Sequence, residues 1–472
     1  MESLNLVLGR RGHTAGQGRR RRLLTLVAVF AVATPGASAA QVLPDATWEV
    51  VGEIQRPSFS GVSVPLSGGR ALLTGSGETN REVLLYDPAH GLVRVADAPA
   101  QLSMHIAAPL DDGRRVLVCG GASPDFLVLT NRCFVYDPSL GDWSEVASLP
   151  SPAFFLYSNP AATLPDGRVI VTGGSTPDDL YGTDFAAGFG VFGLYAASRT
   201  TLLFDPLGRT VLPNGTVVPG AWSTVAPMPI TRVFATHAPA FTGRAIALDR
   251  PRACGRVGHA LVVLADGRVL VAGGRAYNPG FYYGTEHLDI YNPRVDKWTR
   301  LQGLPAIPDD GDGGHGGRGF PGVTLLESGD VLISGGTPTR LVETASRTGR
   351  VTFRLAGPAS PRRSTVLLDP TAGDVRRVGD LNVGRLFSLA PAGPAGGAIA
   401  IGGWSVTPYE PVPAEAYDPV PESWSLLPVE QPPAVDGGPR LGTGLTDGTV
   451  LTWSVDESNP SPATVKRFHP GS

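Results

Sequence analysis

Four arginines stand where repeated stretches of the chain begin. Arg256 and Arg318 each precede a turn glycine, Gly267 and Gly329, by eleven residues, and Arg385 and Arg440 open comparable stretches. Guanidinium groups gathered in one place bind a carboxylate or sulfate through paired N–H donors, which makes these four a candidate anion site. The competing use is mechanical, each Arg pairing with an Asp or Glu of a neighbouring repeat. His105 and His259 each lie eight residues before a glycine, Gly113 and Gly267. That shared register suggests packing between repeats, with a ligand or acid–base role as the alternative. Asp309, Asp310 and Asp312 sit in a glycine-rich run ending at Gly317. Three carboxylates with nearby carbonyls suit Ca²⁺, which takes six to eight oxygens. The spacing is not that of an EF-hand loop, and a solvated loop is the competing reading. No other cofactor is implied.

The stretch from Leu180 to Tyr195 is unusually aromatic for an insertion, with Tyr181, Phe185, Phe189, Phe192 and Tyr195. It has two readings: Tyr181 and Tyr195 stacking sugar rings, or the insertion packing as a lid. The chain has three cysteines. Cys119 and Cys133 fall on neighbouring predicted strands and pair in an oxidising compartment, or stay as two buried thiols. Cys254 stands alone in an insertion.

What positions these residues is a repeat. Leu264-Ala265-Asp266-Gly267-Arg268-Val269-Leu270-Val271-Ala272-Gly273-Gly274 is its clearest copy. Residues 164–174 follow it closely, 111–121 and 326–336 follow it with drift, and 398–403 keep the second half. An aromatic-Asp-Pro run comes next, as at Tyr86-Asp87-Pro88, Tyr136-Asp137-Pro138 and Tyr417-Asp418-Pro419. Trp143, Trp298 and Trp424 each lie seven residues after the Tyr of their copy. An Asp-Gly turn joins antiparallel strands, and Asp-Pro ends one because Pro cannot donate to the ladder. Each unit therefore predicts four strands in two hairpins, with Tyr and Trp packed between stacked sheets.

These motifs resemble the kelch-repeat family, whose unit of about fifty residues is one propeller blade. The resemblance spans residues 46–472 and includes the central domain of galactose oxidase among its relatives. It departs where Gly75-Ser76-Gly77 replaces the doublet and Leu368 replaces an aromatic. It implies an all-β, seven-bladed β-propeller. Arg440 to Trp453 and Ala463 to Pro470 supply three strands of a last blade, and Thr47-Trp48-Glu49-Val50-Val51 the fourth, so N- and C-terminal strands pair and remove two open edges. Six or eight blades stay open as counts, because residues 223–256 have room for a degenerate blade. In such a meander the insertions 175–200, 223–255, 275–286, 303–317, 337–363 and 404–413 fall on one face and 207–221 on the other. Long loops gathered on one face of a rigid scaffold mark it as the working face.

Residues 1–39 read as a secretory signal peptide: Arg19 to Arg22, the apolar run Leu23 to Ala33, and Ala37-Ser38-Ala39 as the cleavage site. Arg20-Arg21 loosely matches a twin-arginine signal. The mature domain would span residues 40–472, secreted or periplasmic, with no membrane span. The whole chain carries a formal net charge of -3, and residues 1–39 hold six Arg and one Glu, so the mature chain is more acidic still. That argues against a nucleic-acid partner. The expected function is a binding or scaffolding module for a glycan or protein, through the long-loop face. The alternative is a carbohydrate-active enzyme. By analogy with kelch-type sugar mutarotases, it would use a channel-mouth acid or base with Arg256 or Arg318. By analogy with copper-radical oxidases, it would need a Tyr–Cys centre. The sequence has no Tyr-His pair, and Cys254 near Tyr277, Tyr282 and Tyr283 is the sole counterpart.

Overall fold

A computed structural model of the 472-residue chain describes residues 46–58, 61–123, 128–155, 159–175, 197–231, 255–278, 281–305, 316–337, 340–345, 351–356, 361–405, 412–427, 440–455 and 462–471. For 276–278, 281–283, 340–345, 351–356 and 440, only the backbone is described. The fold is a seven-bladed β-propeller of antiparallel meanders. Blade one runs Val62–Pro65, Ala71–Ser76, Glu82–Asp87, Gly91–Arg94. Blade two runs Ile106–Leu110, Arg115–Cys119, Cys133–Asp137, Asp142–Val146. Blades three, four and five start at Ala161–Thr163, Ala260–Val263 and Gly322–Leu325. Blade six keeps Ala398–Ala400, Glu415–Asp418 and Ser423–Leu426 as ladder strands. Its inner segment is joined by single bridges, Leu386 to Trp404, Leu389 to Ile401 and Ala392 to Ala398. Pro391 lies within that segment and donates no backbone hydrogen bond.

Blade seven is composite. Thr47–Ile54 pairs antiparallel with Ala463–His469, from Thr47 opposite His469 to Ile54 opposite Ala463. Trp48 and Phe468 stack with centroids 4.7 Å apart. Blade seven then meets blade one, where the Gly69 N–H donates to Thr446 Oγ1 at 3.0 Å. Blade three packs directly on blade four, through Leu164, Ile170 and Leu203 against Val269 and Tyr291. Among the described residues no blade lies between them, and the count is seven.

The repeated residues hold blade to blade. Trp143, Trp222 and Trp298 donate Nε1–H to the carbonyls of Ala96, Ala147 and Ala226 on the preceding blade, at 3.0, 2.8 and 2.8 Å. Each tie contributes about 1 kcal/mol. Each Trp also packs on the aromatic of its own blade, as Tyr291 does on Trp298 at 5.1 Å. The Gly doublet is required by the same interface. At Gly273, φ is +59° and a β-carbon would lie 2.4 Å from the Arg318 carbonyl of the next blade. A side chain there would force the blades apart.

Two of the insertions expected as loops are strands. Arg275–Asn278 and Phe281–Gly284 form one hairpin, Arg340–Ala345 and Val351–Ala356 a second, and Phe281 and Tyr282 pair with Val342 and Leu341 to join them. The result is a four-stranded accessory sheet arising from blades four and five on the long-insertion face. Residues 207–221, on the opposite face, continue Thr201–Val211 and Val217–Thr224 as an extended hairpin, with Leu207, Val211 and Val217 exposed. Among the described residues, no helix is long and apolar enough to cross a membrane.

Candidate functional site

A cavity of about 270 Å³ lies on the axis, lined by residues from all seven blades. One element recurs around it: the residue just after the bridge that opens each blade. In blades two to six this is Met104, Phe155, Gly258, Phe320 and Phe387, following bridges at Ser103, Phe154, Val257, Gly319 and Leu386. Because each sits where the chain turns into an inner strand, the five form a collar. Backbone hydrogen bonds knit it: Phe155 N–H to the Met104 carbonyl at 2.7 Å, Phe320 to Gly258 at 2.9 Å, and Phe387 to Phe320 at 3.3 Å.

Three collar residues hold a conformation their side chains disfavour. Met104, Phe320 and Phe387 have φ of +51°, +52° and +58°, the left-handed region that glycine occupies at Gly258 with +60°. For a non-glycine residue this costs about 1–2 kcal/mol. The rings are in contact, Phe320 and Phe387 having centroids 3.9 Å apart. The series extends to both sides: the Arg275 guanidinium lies 4.7 Å from the Phe320 centroid, and Trp404 meets Phe387 edge-on at 5.5 Å. Arg275 is buried, whereas Trp404 is 42% exposed.

His105 and His259 line the same cavity, and each is tied to the preceding blade. Their Nε2 atoms lie 2.7 and 2.8 Å from Thr74 Oγ1 and Thr172 Oγ1. Burial pushes both imidazoles down to about 3, and the Arg256 charge adds to the effect at His259. Both rings are neutral at pH 7. Among the described residues, no lining residue carries a charge at that pH; the polar members are these two imidazoles, Ser63, Asn159 and Ser388. Asn159 already pairs with the Ala107 backbone, at 3.1 and 2.7 Å. Ser388 Oγ is buried without a hydrogen-bond partner.

Arg256, Arg318 and Arg385 do not line the cavity. They form one repeated clamp inside their own blades. NH1 donates to the carbonyl seventeen residues on, Gly273 at 3.0 Å, Gly335 at 2.8 Å and Gly402 at 3.2 Å. NH2 donates to the side chain at the third strand: Asp289, Ser364 or Glu415. Arg300 grips the other side of Asp289, Nε to Oδ1 at 2.8 Å. Burial pulls Arg256 down to about 10, Asp289 opposing the shift, so it stays protonated at neutral pH. The three guanidinium side chains are 0–1% exposed. An anion clamp at the channel mouth does not fit such groups. Bracing does, although the partners lie within each blade rather than on the neighbour.

The structure joins Cys119 and Cys133 in a disulfide, cross-strand neighbours with Cα atoms 4.2 Å apart. The backbone of Arg440 opens the inner strand of blade seven; its side chain lies outside the described residues, as do Tyr181, Tyr195, Asp309, Asp310, Asp312 and Cys254. Among the described residues, no three His, Cys, Asp or Glu side chains converge as a metal site.

The repeat and the closed ring define a kelch-type, seven-bladed propeller. A fungal alcohol oxidase of the AA5 family, solved with copper, has a similar structure: TM-score 0.53 and 14% identity, covering 90% of this chain and 76% of that one. The structure of YjhT matches with TM-score 0.47 and 15% identity, covering 88% of this chain and 99% of that one. At such identities the likeness is one of fold. No protein-family model and no characterised protein sequence matches the chain.

Proposed function

We propose that this propeller is an exported binding module that receives a glycan or protein segment at the channel mouth on its long-insertion face. Export rests on the pattern of residues 19–39. The observation that carries binding is the collar. Met104, Phe320 and Phe387 retain large side chains in a left-handed backbone at a place where blade four uses glycine. Local strain kept around a cavity is a signature of function. A mutarotase needs an acid or base beside an accessible arginine. Here burial holds both lining imidazoles near 3, which makes them weak bases, and Arg256, Arg318 and Arg385 are spent in clamps, which favours binding over catalysis. The residues a copper-radical centre would draw on, Cys254 and the side chains of Tyr277, Tyr282 and Tyr283, lie outside the described residues.

The test is a glycan and peptide array probed with the wild-type protein and with Phe387→Gly. Glycine removes both the left-handed penalty and the ring contacts. Removing the first gains about 1–2 kcal/mol, but losing a partly buried phenyl ring costs about 3 kcal/mol or more, so the variant should be less stable and is compared at a temperature where both proteins are folded. Binding should fall at least tenfold. Array hits indifferent to the substitution would remove the channel mouth as the site.

A further inference from the structure

Resting on the export part of that reading, we infer that Asn214 is the acceptor of an N-linked glycan, carried at the tip of the extended hairpin on the face opposite the long insertions. The motif is narrow. Asn214-Gly215-Thr216 is the one Asn-x-Ser/Thr triplet of the chain with a middle residue other than Pro, Asn459-Pro460-Ser461 being excluded by its proline.

The turn that holds Asn214 shows what its amide is not needed for. Leu212 N–H donates to the Thr216 carbonyl and Gly215 N–H to the Leu212 carbonyl, both at 2.8 Å. The turns joining the first two strands of blades three, four and seven are built the same way, over Leu164 to Arg168, Leu264 to Arg268 and Leu445 to Thr449. In each of these an Asp occupies the third place. Asp166, Asp266 and Asp447 accept the backbone N–H two residues on through Oδ1, at 3.1, 3.0 and 3.1 Å. Asn214 Oδ1 makes the same bond with Thr216 N–H, at 3.0 Å. A carboxylate therefore serves this turn as well as a carboxamide does.

The fourth copy differs at the other end of the side chain. Oδ2 of Asp166, Asp266 and Asp447 holds Arg168, Arg268 and Arg467. Asn214 has Nδ2 there, and among the described residues neither Nδ2 nor the Thr216 hydroxyl makes a hydrogen bond. Pro213 to Thr216 are all exposed. The turn thus presents a free amide nitrogen and a free hydroxyl two residues on, the pair of groups that a glycan acceptor offers. Attachment is a substitution. Asn214 Nδ2 bonds to the anomeric carbon of an oligosaccharide carried on a lipid pyrophosphate and gives up one proton. The bond from that carbon to phosphate oxygen breaks, and the lipid pyrophosphate leaves with the electron pair. A chain placed here leaves the channel mouth open, because the hairpin lies on the other face.

The experiment isolates the exported protein from the cells that make it and reads the N-terminus and the peptide containing Asn214 by mass spectrometry. Asn214→Asp, Thr216→Ala and Thr216→Ser are made in the same cells. The wild-type peptide should carry a saccharide mass on Asn214, Thr216→Ser should keep it, and Asn214→Asp and Thr216→Ala should lose it. Asn214→Asp keeps the Oδ1 bond that the other three turns make with Asp, so its loss of saccharide cannot come from misfolding of the hairpin. Bare Asn214 on a protein that begins after residue 39 would overturn the inference and leave export standing. Bare Asn214 on a protein that keeps residues 1–39 would overturn both. A saccharide that survives in Asn214→Asp would overturn the assignment to this residue.

Discussion

The two inter-blade histidines make acid stability a measurable property of this fold. His105 and His259 are held near 3 in the folded protein by burial, against 6.5 for an exposed imidazole. The unfolded chain therefore binds protons that the folded chain refuses. Stability is fully present above pH 6.5 and is lost as pH falls from 6.5 toward 3. At pH 5 the loss is about 2 kcal/mol per residue, or about 4 kcal/mol for the pair. Asp87, Asp137, Asp166, Asp266, Asp369, Asp447 and Glu422 are all held below their ordinary range, so they are ionised at both pH values of the assay below. His287, pushed down to about 4 by burial and then by Arg300, is present in every variant and cancels from a comparison. The comparison is wild type against His105→Ser/His259→Ser, serine being what blade six carries at this place in Ser388. Urea unfolding at pH 7.5 and pH 5.0 should show the variant less stable at both, with a fall between them smaller by about 4 kcal/mol. A variant losing stability as steeply as wild type would show that these imidazoles are not the buried, neutral ties described here.

Arg385→Leu should destabilise by about 3–5 kcal/mol, because Glu415 would be left as a buried charge with only Asn382 and Val383 as donors. Adding Glu415→Leu should restore much of that in the same urea assay, and no recovery would mean that packing, not charge, sets the loss. Deleting Thr47 to Ile54 should expose the Ala463–His469 edge and the Phe468 ring, lowering the melting temperature and promoting aggregation. Light scattering and thermal unfolding check this, and an unchanged melting point would refute closure by that strand.

The fold was legible because its determinants are local and repeated. An Asp-Gly turn, a Gly doublet, a Tyr and a spaced Trp each act within one unit or on the unit next to it, so their spacing carries the whole architecture. The closing strand was legible for the same reason, since Thr47–Ile54 reads as a strand whose three partners lie at the other end. The accessory sheet was hidden. Its two hairpins come from insertions after separate blades, and their pairing depends on where blades four and five place them. The arginines show the limit most clearly. Their shared register was visible, but whether they face the channel or turn back into the blade depends on carbonyls seventeen residues away and acids about thirty away. The collar left even less trace. Met104, Phe320 and Phe387 occupy a backbone conformation that sequence assigns to glycine, and only Gly258 in the series announces it. Thus the sequence by itself determined the blade and its closure, which follow from repeated local contacts, while the count of seven was settled only by blade three packing directly on blade four. Which side chains reach the axis was decided by the tertiary structure, because the axis exists only once seven blades have closed around it.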